Sequence, residues 1–135
     1  MATKPELRDI ALQARANAYA PYSNFQVGAA VEMADGSVFG GANVENAAYP
    51  QTICAERSAI VSAVAAGKGG KGTLKRVYVV ADPIATPCGG CRSVMGEFGT
   101  HDTEIIIANT AGQERVFTLK QLLPFSFELG DDPSL

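Results

Sequence analysis

Apolar positions near the start of the chain recur at helical spacing: Leu7, Ile10, Ala11, Ala14 and Ala18. Ahead of them, Thr3 can cap a helix, Pro5 suits its first turn and Glu6 completes a capping box, while Pro21 predicts its end. The pattern then changes to two apolar runs on either side of Asp35-Gly36, the signature of a strand hairpin. Gly28, Ala29 and Ala30 in the first run are small enough to let another element pack closely. From about Ile53 to Ala66 the spacing is helical again, with Ala59, Ile60, Ala63 and Val64 as the expected buried face. The glycines and lysines of residues 67–72 break that helix. "RVYVVA" and "EIIIAN" are short, nearly continuous apolar runs, as in strands covered on both faces, and a helix from about Cys88 to Phe98 lies between them. A turn at Ala111-Gly112, a strand near Val116 and a short helix, "TLKQLL", stopped by Pro124 complete the pattern. Strands alternating with helices predict α/β layers around a single sheet, and the length predicts one domain spanning residues 1–135.

Composition narrows the partners. Hydrophobic residues make up 47% and charged residues 19%, ordinary for a globular protein, and the formal net charge is −3. No basic stripe of the kind that binds nucleic acid is present; Lys68, Lys71 and Lys75 sit among glycines and read as a solvated loop. No apolar run approaches membrane-spanning length and the N-terminus lacks an apolar signal core, so the expectation is a cytoplasmic protein with neither nucleic-acid nor membrane partners.

The three cysteines carry the chemistry. Their odd number rules out full pairing within one chain, and in a reducing compartment a C-x-x-C pair points to metal or redox chemistry. Cys54, Cys88 and Cys91 would give a zinc ion three thiolates and leave a fourth position open for water. Cys88 and Cys91 are one helical turn apart, so both can face one ion, and Cys54 can face it from a second helix start. The positive dipole ends of both helices would then offset the thiolate charge. Three thiolates around one Zn²⁺ leave a net negative charge that opposes ionising a water. Arg57 and Arg92, following the ligands, are expected to donate to the sulfurs and restore that acidity. Glu56 sits where a general base can take a proton from water and pass it on. Taken singly, the C-x-x-C could be a redox pair or half a structural zinc site, and Glu56 a solvated helix carboxylate. His101, the sole histidine, reads as a loop residue rather than a ligand. The joint pattern, an x-E after the first ligand and then P-C-x-x-C, is far more specific and matches the layout of zinc deaminases.

"CAER", "PCGGCR", "APYSNFQVGAA" and "NVENAAYP" together resemble the small, homotetrameric type of cytidine deaminase, over about Tyr19 to Phe127. The resemblance implies a three-layer α/β/α sandwich with a five-stranded mixed sheet and one Zn²⁺ per subunit. It implies hydrolysis of cytidine and 2′-deoxycytidine to uridine and 2′-deoxyuridine with release of ammonia. It also implies a homotetramer whose active sites are completed by neighbouring subunits. Residue by residue, Asn43 and Glu45 would hydrogen-bond the ribose 3′-hydroxyl, and Phe25 would lie against the base. Ala55 would give its N–H to the pyrimidine carbonyl, and a backbone carbonyl near Thr86 would accept from the 4-amino group. Tyr49 would line the site from a loop, its own or a neighbour's, and Phe127 would close the site of an adjacent subunit. Gly90 stands where the family usually has alanine.

Other readings stay open at this point. Asn43 and Glu45 would also suit a turn-stabilising amide beside a solvated carboxylate, and Phe25 an ordinary core position. A deaminase of a related cytosine-nucleoside antibiotic would use the same motifs, with pocket shape deciding. A nucleic-acid-editing enzyme is opposed by the acidic balance and by cysteine as first ligand. A non-catalytic zinc-binding module predicts no open coordination position and no use for Glu56. The segment 67–72 and the tail 128–135 receive no role.

Overall fold

The computed structural model describes residues 1–129. In chain order these form α1 (Lys4–Ala16), β1 (Val27–Met33), β2 (Val38–Ala42), a 3₁₀ turn (Tyr49–Gln51) and α2 (Ala55–Ala65). They continue with β3 (Leu74–Ala81), α3 (Gly89–Phe98), β4 (Glu104–Ala108), β5 (Glu114–Thr118) and α4 (Leu119–Leu122). The strands make one five-stranded sheet in the order β2-β1-β3-β4-β5. Only the β3–β4 pair is parallel, so the sheet is mixed, as expected.

Alternation along the central strands builds two cores. Ala29, Val31 and Met33 of β1, Val77 and Val79 of β3, and Ile105 and Ile107 of β4 face α2, α3 and α4. Ala30, Tyr78, Val80, Ile106 and Ala108 face the other way, onto Leu7 and Ala11 of α1. The result is a three-layer α/β/α sandwich with a single helix on one side. Each large apolar side chain fully buried this way contributes about 1.5–3 kcal/mol, and the one fully buried charge on β1, Glu32, is paired with Arg76 of β3 at 3.0 Å.

Small residues set how closely the helices approach. A Cβ at Gly28 would overlap the Ala11 carbonyl oxygen and the Arg15 side chain on α1. A Cβ at Gly41 would overlap the backbone of Ala55 and Ala59 on α2. The close packing expected at Gly28 is therefore present, and β2 seats α2 directly against the sheet. The β1–β2 hairpin turns at Gly36, whose φ of 87° lies in the left-handed region that glycine occupies without strain.

Two boundaries and one buried face differ from the sequence expectation. α1 carries the capping box of Thr3 and Glu6 but stops at Ala16, with Asn17 as C-cap, well before Pro21. The chain leaves because Tyr19 bridges to Val44, so Ala18 lies outside the helix. α2 begins after Ile53, which is held in a bridge with Val44. Its buried face is Ala55, Glu56, Ala59, Ile60 and Ala63; Val64 is 40% exposed. The stripe that meets the sheet is narrow and built on alanines, and Val64 falls about 100° round from Ala63. Among the described residues, no helix is long and apolar enough to cross a membrane. The tail 128–135 is described only as far as Leu129.

Candidate metal centre and active site

The topology fixes where the two cysteine motifs meet. β2 and β3 are both antiparallel to β1, so their C-terminal ends lie at the same edge of the sheet. β2 leads through residues 43–54 into α2, and β3 leads through residues 82–88 into α3. The N-termini of α2 and α3 therefore arrive at one place. Cys54 is the N-cap residue of α2 and Cys88 that of α3. Cys91, one turn into α3, is buried.

The three Sγ atoms lie within 4.8 Å of one another, and Cys54 and Cys88 are 4.0 Å apart. All three thiols are free. A tetrahedral zinc site with Zn–S bonds of about 2.3 Å separates its sulfurs by roughly 3.8 Å. The observed cluster fits that geometry, and the donor set, three cysteines, is one zinc prefers. No fourth His, Cys, Asp or Glu joins the cluster among the described residues, as a site with a position left for water requires.

The electrostatics favour thiolate at one of the three. Cys54 is lowered from 9.0 to about 5, first by the hydrogen bond from the Cys91 thiol and then by Arg57. Cys91 is pushed up, first by that same hydrogen bond and then by burial. The Arg57 guanidinium donates from Nη2 to Cys54 Sγ at 3.6 Å and to the Thr52 carbonyl at 3.3 Å. Its own pKa is raised, chiefly by the bond to Cys54. Arg57 Nε is buried and has no hydrogen-bond partner among the described residues.

Arg92 corrects the sequence expectation. It donates from Nε to the Pro87 carbonyl at 2.8 Å and from Nη1 to the Leu122 carbonyl at 3.0 Å. Among the described residues no hydrogen bond runs from it to a sulfur. Arg92 ties the loop before α3 to the end of α4 instead.

Glu56 follows Cys54 by two residues and is only 5% exposed. Burial raises its pKa, the nearby Cys54 charge adds to that, and a bond with Cys91 opposes it. Among the described residues this buried carboxyl has no ion-pair partner, the kind of environment in which proton-transfer groups are found.

A second group of residues lies on the segment between β2 and α2. Asn43 is 8% exposed; its Nδ2 donates to the Phe25 carbonyl at 2.7 Å and its Oδ1 accepts from Val27 N–H at 2.9 Å. Glu45 Oε1 accepts from the N–H groups of Tyr22 at 3.0 Å and Ser23 at 3.1 Å, and Oε2 accepts from the Ser23 hydroxyl. These bonds lower its pKa, the Ser23 hydroxyl most of all. Phe25, Asn43 and Glu45 thus form one connected group. The backbone bridge between Val44 and Ile53, 2.9 Å in both directions, holds that group beside Cys54. Ala55 is fully buried at the first position of α2. Tyr49 is 77% exposed in the 3₁₀ turn, and Phe127 is 88% exposed in a surface hollow it shares with Ser93, Val94 and Glu97. The sequence reading missed Ser23 and Thr52. The only available signal was the small polar residue of "YSNF", two before Phe25, a spacing typical of a hydroxyl-to-backbone turn.

Comparison with known proteins agrees with this geometry. The family described as cytidine and deoxycytidylate deaminase zinc-binding region matches residues 1–108. Cytidine deaminase from Halalkalibacterium halodurans is 47% identical over 124 residues, covering 90% of this chain and 91% of the relative. Cytidine deaminase from Mycobacterium tuberculosis is 42% identical over 127 residues, covering 94% and 91%. The solved structure of cytidine deaminase from Burkholderia pseudomallei superposes with a TM-score of 0.88 at 46% identity, covering 93% of this chain and all of that one. With this fold and this three-cysteine cluster, the chain belongs to the zinc-binding cytidine and deoxycytidylate deaminase family.

Proposed function

We propose that this chain is a cytidine deaminase that hydrolyses cytidine and 2′-deoxycytidine to uridine and 2′-deoxyuridine, releasing ammonia. The observation that carries the reading is Glu56, a buried carboxyl with a raised pKa set beside three converging thiols. A zinc ion held by Cys54, Cys88 and Cys91 would supply the positive charge that makes a water acidic near neutral pH.

Glu56 moves the protons. Its carboxylate takes the first proton from the attacking water and delivers it to N3 of the pyrimidine. It then takes the proton left on the new C4 oxygen and gives it to the 4-amino group. That group leaves as ammonia, and N3 keeps its proton in the uridine product. A raised pKa suits this work, because the group must be both base and acid near neutral pH.

The remaining residues orient the nucleoside. Asn43 and Glu45 have most of their hydrogen-bonding capacity committed to the protein. Asn43 retains one N–H and one lone pair, and Glu45 retains about one acceptor site. A ribose 3′-hydroxyl, donating to Glu45 and accepting from Asn43, uses what is left. Phe25 would offer a face to the base, the Ala55 N–H at the start of α2 would donate to its carbonyl, and a backbone carbonyl near Thr86 would accept from the amino group. Arg57 keeps the cluster's charge in balance.

The active unit is a homotetramer in which Phe127, and in part Tyr49, completes a neighbour's site. The support is that both aromatics stand in solvent on their own chain. The whole chain acts as one catalytic domain, supported by two cores that share one sheet, and free thiols support a reducing, cytoplasmic setting.

The test is an ultraviolet assay of cytidine, 2′-deoxycytidine, cytosine, CMP and adenosine beside a zinc count. Turnover of the two cytosine nucleosides alone, with one zinc per chain, is expected. Zinc without turnover would leave a structural module, and preference for another substrate would overturn the assignment. Assembly is tested by mixing a Cys54→Ala chain with a Phe127→Ala chain under subunit exchange. Intact Cys54 sites should regain affinity from an intact Phe127; no recovery in verified mixed oligomers, or a fully active monomer, would sink the donation.

A further inference from the structure

One unbroken chain of hydrogen bonds links the residues that would meet the sugar and the base. The Ser23 hydroxyl donates to Glu45 Oε2 and accepts from the Phe25 N–H at 3.0 Å. The Phe25 carbonyl accepts from Asn43 Nδ2 at 2.7 Å, and Asn43 Oδ1 accepts from the Val27 N–H at 2.9 Å, where β1 begins. Asn24, between Ser23 and Phe25, has a φ of 58°. The N–H groups of Tyr22 and Ser23 both donate to Glu45 Oε1, just before that left-handed residue. Ser23 is the only side chain that connects Glu45 to the Phe25–Asn43 group among these bonds.

We propose that Ser23 is a positioning residue for nucleoside recognition, holding Glu45 in the rotamer that meets the ribose 3′-hydroxyl while fixing the backbone that carries Phe25. The inference rests on the reading of Glu45 and Asn43 as the sugar-binding pair. The physical reason is the geometry of a carboxylate on a loop. Free in solvent, Glu45 would sample several rotamers. With three donors on its two oxygens it has one orientation, and the oxygen sites left over point in one direction. Ser23 is exposed, so it contributes little to the core. Its hydroxyl acts as both donor and acceptor, which neither alanine nor cysteine reproduces and threonine does.

Ser23→Ala should raise KM for cytidine on the order of tenfold, the cost of a lost bond to a charged group, with kcat and zinc content near those of the parent. The penalty should shrink for 3′-deoxycytidine, which has no hydroxyl for Glu45 to meet. Ser23→Thr should restore the parent KM. In a cycle with Glu45→Ala, the double variant should be no worse than Glu45→Ala alone. If Glu45→Ala raises KM and Ser23→Ala does not, the positioning role is wrong while the sugar-contact reading stands. If Glu45→Ala itself leaves KM unchanged, the sugar contact fails and the role of Ser23 falls with it. Loss of zinc or of melting temperature in Ser23→Ala, uncorrected by threonine, would make Ser23 a fold-holding residue and overturn the proposal.

Discussion

The starts of α2 and α3 look like two copies of one device. Each opens with a cysteine at the N-cap, and each has an arginine close behind. The structure separates them by a single helical position. Counting from the N-cap, Arg57 is the third helical residue of α2, whereas the third helical residue of α3 is Cys91 and Arg92 is the fourth. The third residue of a helix leans back over its own N-cap, the geometry that capping boxes exploit. In α2 that position places a guanidinium on the Cys54 sulfur; in α3 it places the third thiol beside Cys88, whose Sγ accepts from the Cys91 N–H at 3.4 Å. Arg92, about 100° further round, reaches the Pro87 and Leu122 carbonyls instead. One start thus sets a thiol, a buried carboxyl and a guanidinium together, and the other sets two thiols beside an arginine that ties backbone carbonyls.

The largest effects should come from the ligands. Cys54→Ala, Cys88→Ala and Cys91→Ala should each lose zinc and activity together, read by metal analysis and the ultraviolet assay. Full zinc with full turnover in any one would remove that thiol from the site and break the division between the helices. Glu56→Gln should keep zinc while turnover falls by at least about 10², the lower range for a lost acid–base group. Turnover near the parent value would take Glu56 out of the reaction and leave α2 with only a ligand and a charge.

What could be read beforehand follows the range of the forces involved. The capping box of Thr3 and Glu6, the left-handed turn at Gly36 and the apolar runs of β3 and β4 are local or periodic features, and they appear where the pattern puts them. The three-cysteine cluster was legible because two specific spacings occur together in an otherwise cysteine-poor chain. The early end of α1 was not, because it depends on Tyr19 pairing with Val44 across the fold. The exposure of Val64 depends on where alanines let α2 settle against Gly41. Arg92 was misread because "next to a ligand in sequence" is a different relation from "on the ligand's side of the helix". Ser23 was missed because its partners, Glu45 and Phe25, come together only through a loop with a left-handed residue.

The two arginines sharpen the comparison most directly. Cys54 has a folded pKa depressed to about 5, so it is a thiolate above that pH and protonates as pH falls through it. Protons compete with zinc for the three thiols, so zinc should be lost as the pH falls. The Cys91 thiol is the first cause of the depression, but a Cys91 that serves as a ligand no longer donates its proton, and Arg57 is then the lowering partner that remains. Arg57→Gln should raise the Cys54 pKa and move the pH of half-maximal zinc loss upward, on the order of one unit. A chelator competition run across pH reads this directly. Arg92→Gln should leave that curve in place and lower the melting temperature, since two bonds from a charged donor to backbone carbonyls are worth about 1.5–3 kcal/mol each. Equal shifts of the zinc curve in both variants would restore the symmetric reading and refute the distinction by helical position.

The smallest expected effect concerns the turns themselves. α2 opens with Ala55 and Glu56, whereas α3 opens with Gly89 and Gly90. A Cβ at Gly90 would meet only Cys88 Sγ, at 3.9 Å, an ordinary contact distance, and Gly90 is not in the left-handed region. Nothing in the packing or the backbone therefore requires glycine there. Alanine would remove conformational freedom from the unfolded chain without adding strain, which stabilises by about 0.4–1 kcal/mol. Gly90→Ala should raise the melting temperature by roughly 1–5 °C while zinc content and KM for cytidine stay at the parent values. A drop in melting temperature or in zinc content would show that the first turn of α3 needs glycine to bring Cys88 and Cys91 onto one ion. In that case the α3 start would carry a backbone constraint that the α2 start, built on Ala55, does without.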